Sequence, residues 1–83
     1  MIANDAARGL TLMLIYLTSW QEEPGAVRRC WKGFRFEILD SLVEEGFISG
    51  SRGAKSLYLT EIGERRARAL LLRHGFGSEL NEK

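Results

Sequence analysis

Apolar positions along this chain fall into one dense run and several shorter stripes, each closed by a glycine or a polar turn. Seven of the eight residues from Leu10 to Leu17 are apolar. That is too many for one helical face, so the run predicts a helix shielded by more than one neighbour. Asn4 or Asp5 is the expected N-cap, since either side chain can accept a hydrogen bond from the first orphan amides. The helix is expected to reach about Trp20, with Gly9 weakening its first turns. Burial of large side chains at about 1.5–3 kcal/mol each gives this run on the order of 10–20 kcal/mol as an upper bound, which makes it the expected centre of the core.

Gln21-Glu22-Glu23-Pro24-Gly25 reads as a turn. After it, Val27, Cys30 and Trp31 recur at i, i+3, i+4 while Arg28, Arg29 and Lys32 fall on the other side, which predicts about two turns of amphipathic helix stopped by Gly33. From Phe34 to Glu45 the period is again helical. Ile38, Leu39, Leu42 and Val43 form its apolar stripe, Glu37, Asp40, Ser41, Glu44 and Glu45 its outer face, and Gly46 its left-handed stop. Phe47-Ile48 and Leu57-Tyr58-Leu59 are strand candidates joined by the tip Gly50-Ser51-Arg52-Gly53. Thr60 is placed to cap a last helix, with Glu61 and Glu64 at its positive end, Arg73 and His74 at its negative end, and Gly75 closing it. The tail from Phe76 to Lys83 is expected to fray. The order helix, short helix, helix, strand, strand, helix predicts one α+β domain over residues 1–83: three main helices, a short second helix and a two-stranded hairpin.

The string Leu42-x-x-x-Gly46-Phe47-Ile48, the hairpin, and Tyr58-Leu59-Thr60-Glu61-x-Gly63 together resemble the winged-helix transcriptional regulators of bacteria. The likeness covers roughly the C-terminal half and implies a winged-helix fold, with the hairpin as its wing. The chain also resembles, over most of its length, a small bacterial family without assigned activity. That likeness rests on Leu14-Ile15-Tyr16-Leu17-Thr18, Trp31-Lys32-Gly33-Phe34, Ala54-Lys55-Ser56 and Leu59-Thr60-Glu61-x-Gly63. One departure from the regulators is the stretch Gln21 to Gly33, which is short for the second helix of a helix-turn-helix.

Composition narrows the classes further. With 45% hydrophobic and 28% charged residues the chain has a soluble globular make-up, and its formal charge of +1 means that any nucleic-acid role must come from local segregation of charge. The single cysteine, Cys30, can form no internal disulfide, which fits a reducing cytoplasm, and reads as a small buried hydrophobe. The Leu10 to Leu17 run is far short of the roughly 20 residues a bilayer demands, and Met1-Ile2-Ala3-Asn4-Asp5 lacks a basic leader, so neither a membrane span nor a secretory signal is expected.

Arg28, Arg29, Lys32 and Arg35, with Trp31 beside them, and Arg52 and Lys55 on the wing are the candidate contacts to the phosphates of double-stranded DNA. The alternative for these cations is a solvated surface paired with Glu22, Glu23, Glu37 and Glu45. The acidic face of the Phe34 to Glu45 helix opposes entry into a major groove. In the last helix Gly63, Ala67, Leu70 and Leu71 make one stripe, and Ile62, Ala69, Leu72 and Phe76 make a second that suits a homodimer interface. Arg65 and Arg68 are expected to pair at i,i+4 with Glu61 and Glu64. Trp20 and Trp31 are expected in a core or an interface, and His74 as a helix-end residue. No catalytic constellation, metal-ligand spacing or phosphate-cradling loop is present, so neither an enzyme nor a metal or other cofactor is expected. Two functions remain: a small DNA-binding regulator, favoured by fold precedent, and a protein-interaction or dimerisation module with an unidentified protein partner or a second copy.

Overall fold

A computed structural model describes residues 5–50 and 56–77 of the chain. Its elements run α1 (Asp5–Thr18), β1 (Arg28–Cys30), α2 (Phe36–Glu44), β2 (Ile48–Ser49), β3 (Leu57–Leu59) and α3 (Glu61–Arg73). The fold is α+β: three helices and a three-stranded antiparallel sheet in the order β1-β3-β2. That order is compatible with a winged helix.

The expected short second helix is absent, and this corrects the hairpin as well as the helix. Arg28, Arg29 and Cys30 are extended and pair with Leu59, Tyr58 and Leu57, so the sheet has three strands where two were expected. The reason is visible in the side chains. Alternation along β1 sends Cys30 into the core, fully buried, and Arg29 to the opposite face beside Tyr58, which a helix through these residues cannot do. Trp20 extends the pairing, its amide donating to the Arg29 carbonyl at 3.0 Å and its carbonyl accepting from the Arg29 amide at 2.8 Å.

The inner face of the sheet supplies Cys30, Ile48, Leu57 and Leu59 to the core, where they meet Leu12 and Ile15 of α1, Leu39 and Leu42 of α2, and Ala67 of α3. α1 packs on both other helices and on β1, as its many apolar positions require. Its outermost positions Leu10, Leu14 and Leu17 nevertheless remain exposed. Asn4, the alternative N-cap, lies outside the described residues, as do Arg52 and Lys55 and the residues from 78 onward.

Helix ends follow the glycines. After α2, the Gly46 amide donates to Val43 and the Phe47 amide to Leu42, with Gly46 at φ 83°. After α3, the Gly75 amide donates to Leu72 and the Phe76 amide to Leu71, with Gly75 at φ 87°. Both closures are the paired 5→2 and 6→1 bonds that a left-handed residue permits. At the start of α3 the Thr60 hydroxyl oxygen accepts from the Gly63 amide at 3.0 Å, the expected cap.

Within α2, Leu39 and Leu42 are buried and Ile38 is partly so, but Val43 is 39% exposed and does not complete the expected stripe. The helix is only nine residues long. Its inner face is filled by Leu39 and Leu42, and Val43 is turned toward the open side.

Candidate functional site

Arg28 and Arg29 are neighbours in β1, so their side chains leave opposite faces of the sheet. Arg28 reaches the helix side. Its guanidinium lies over the Tyr16 ring at 5.1 Å, donates to Ser19 Oγ at 2.9 Å and stands 3.6 Å from the Glu64 carboxylate. Arg29 occupies the outer face, over the Tyr58 ring at 5.3 Å, donating to Ser56 Oγ at 3.2 Å and pairing with Glu22 at 3.1 Å. Both cations are partly buried and held by aromatic, hydroxyl and carboxylate partners within the fold.

Arg35 pairs with Glu37 at 3.5 Å. The Glu37 carboxyl is held below its usual range, first by its own backbone amide at the start of α2 and then by the Arg35 charge. The pairing of Arg29 with Glu22 and of Arg35 with Glu37 matches the expected solvated-surface alternative. Glu45 instead binds Arg8 of α1. In α3, Glu64 faces Arg28, and Arg68 donates to the Tyr16 hydroxyl at 3.1 Å. The expected i,i+4 pairing of Glu64 with Arg68 is therefore replaced by contacts that tie α3 to α1 and the sheet.

The four interface candidates lie along α3 and just past its end, and all are exposed. Gly63, Ala67 and Leu71 form the buried face of α3, and Ile62, Ala69 and Leu72 project from the opposite side, followed by Phe76 just past its end. Leu72 is 62% exposed, Ile62 55% and Phe76 49%. Arg65, Arg66 and Arg73, all exposed, surround this stripe. Leu10, Leu14 and Leu17 make a second exposed apolar row on α1 at i, i+4, i+7, a feature that the all-round apolar run concealed.

A further apolar slot of about 160 Å³ opens between α2 and the β2–β3 hairpin, lined by Phe36, Leu39, Val43, Gly50 and Leu57, with Lys32 and Asp40 at its rim. Phe36 is 59% exposed. A wider cleft of about 570 Å³ runs between the start of α1 and the end of α3; Arg66 and Arg73 line it together with Arg8, which pairs with Asp5 and Glu45. Trp31 stacks obliquely on Trp20, ring centres 5.3 Å apart, and is itself largely exposed.

Burial pushes the Cys30 thiol up to about 11, so it is a protonated core side chain at neutral pH, as expected. No group of three or more potential metal ligands, and no helix long and apolar enough to cross a membrane, occurs among the described residues.

These features describe a small α+β domain whose outward helix faces are apolar and charged. The chain belongs to the family described as Domain of unknown function (DUF6429), whose profile matches residues 3–76. No curated protein and no solved structure matches it.

Proposed function

We propose that this chain is a winged-helix-type protein-interaction module that associates with itself through the outer face of α3. The observation that carries this reading is the exposed stripe Ile62, Ala69, Leu72 and Phe76, set opposite the face that packs on the domain. Covering these three half-exposed side chains removes roughly half of the about 1.5–3 kcal/mol that full burial of each supplies, a gross gain from which the cost of association is drawn. The separation of Arg28 from Arg29 supports the same reading. Their guanidiniums diverge to two faces and engage Glu64 and Glu22, which leaves less positive charge to displace counterions from DNA. The acidic outer face of α2, with Glu37, Asp40 and Glu44 exposed, works against a groove-reading helix.

The test is sedimentation of the full chain beside its Leu72→Glu variant. Wild-type protein is expected to associate at micromolar concentration and the variant to remain monomeric with an unchanged circular dichroism spectrum. A monomeric wild type that binds duplex DNA at low salt, and loses that binding with Arg28→Glu and Arg29→Glu, would instead support the nucleic-acid reading.

A further inference from the structure

Two outward faces of this chain set exposed apolar side chains beside charge, and those charges are opposite in sign. α2 exposes Glu37, Asp40 and Glu44 next to Phe36 and Val43, and the apolar slot opens beside them. α3 exposes Arg65, Arg66 and Arg73 around Ile62, Leu72 and Phe76. One face sets three acids against Arg35, which pairs with Glu37, and Lys32, which lines the slot beside Asp40, and leaves a net negative surface with a hole for an apolar side chain. The other is a basic surface with apolar side chains projecting from it.

We propose that the α2 face and its slot in one copy receive the α3 face of a second copy, with Leu72 or Phe76 seated between Phe36, Val43 and Leu57. This rests on the self-association proposed above and specifies which surfaces meet. Charge decides between this arrangement and α3 against α3. An antiparallel α3 pair centred on the small Ala69 sets Arg65 of each copy opposite Arg73 of the other, bringing like charges together at both ends of the contact. Against α2 the same arginines meet Asp40, Glu44 and Glu37. Opposite potentials steer encounter and fix register, and like-charge juxtaposition disfavours that antiparallel α3 pair.

A charge swap tests the arrangement in the full chain. One variant carries Asp40→Arg with Glu44→Arg, the other Arg65→Glu with Arg73→Glu. Each is sedimented alone and then mixed in equal amounts with the other. Each variant alone then presents like charge on both faces, so its self-association is expected to weaken by at least about tenfold, whereas the mixture is expected to recover to within about threefold of wild type. An acid-to-base variant that associates as well as wild type, or a mixture that stays monomeric, overturns the proposal. Wild-type protein that is monomeric at high micromolar concentration overturns the self-association reading itself, a separate outcome. Circular dichroism melts verify that both variants fold. A milder pair, Asp40→Asn with Glu44→Gln, adds a second readout: wild-type association is expected to weaken as salt rises, and this variant's association to respond less. Equal salt responses count against the proposal.

Discussion

Gly63 is the position where a single methyl group should do most damage. It lies in the first turn of α3 against the backbone of Phe47, where a Cβ would sit 2.0 Å from the Phe47 carbonyl oxygen and 2.7 Å from its carbon. An ordinary carbon to oxygen approach is about 3.3 Å or more, so α3 or the α2–β2 connection must retreat by roughly 1 Å. That retreat acts on the Thr60 amide's bond to the Phe47 carbonyl at 3.0 Å and the Thr60 hydroxyl's bond to the Gly46 carbonyl at 2.6 Å. Weakening these bonds costs about 1 kcal/mol each, and overpacking adds about 1–3 kcal/mol. Alanine's better helix propensity returns about 1 kcal/mol. Gly63→Ala should therefore lose roughly 2–4 kcal/mol, a large share of the roughly 4–12 kcal/mol expected for a chain of this size. Tm should fall by roughly 10–30 °C. Urea and thermal melts followed by circular dichroism measure both. A variant as stable as wild type, or more stable, would mean that helix propensity outweighs the contact and that the junction of α3 with Phe47 is not tight.

Three further outcomes follow from the same geometry. Cys30 titrates near 9 as an ordinary thiol and near 11 when buried, so as pH rises the unfolded chain loses its proton first. Its contribution is complete below about pH 9 and declines by up to roughly 2–3 kcal/mol as pH approaches about 11; in urea melts across this range wild type should lose more stability than Cys30→Ala by about that amount. Thr60→Val removes the acceptor for the Gly63 amide and the donor to Gly46, and should lower stability in urea melts by about 1–2 kcal/mol. Arg29→Met gives up partly exposed contacts to Glu22, Ser56 and the Tyr58 ring, and should cost about 1 kcal/mol of stability. If that variant melts like wild type yet loses low-salt binding to duplex DNA, Arg29 serves a nucleic acid and not the fold.

The elements signalled by local chemistry were legible in the sequence. Gly46 and Gly75 mark helix ends because the left-handed conformation there suits glycine, and Thr60 marks a helix start because its oxygen meets an amide three residues on. Cys30 reads as buried from its residue type. β1 was not legible. Its apolar residues mimic an i, i+3, i+4 spacing, a three-residue strand is too short to display alternation, and its conformation depends on β3, which lies 27 residues further along between paired Cys30 and Leu57. The arginines followed the same rule. Their clustering at 28 and 29 suggests one basic patch, but a strand separates neighbours to opposite faces, and their partners Glu64 and Tyr58 come from distant elements. The stripe Ile62, Ala69, Leu72 and Phe76 was legible because helical periodicity and a complete opposite face are both local properties. The slot beside α2 was not, since it needs the hairpin and the helix together.

Self-association through α3 without DNA binding is tested by sedimenting the full chain across a concentration series with a labelled mixed-sequence duplex DNA present at low salt. Protein mass is expected to rise with concentration while the DNA sediments as free duplex, and Leu72→Glu is expected to abolish the rise. A protein that stays monomeric at high micromolar concentration and co-sediments with the duplex, with Leu72→Glu changing neither, would contradict that reading.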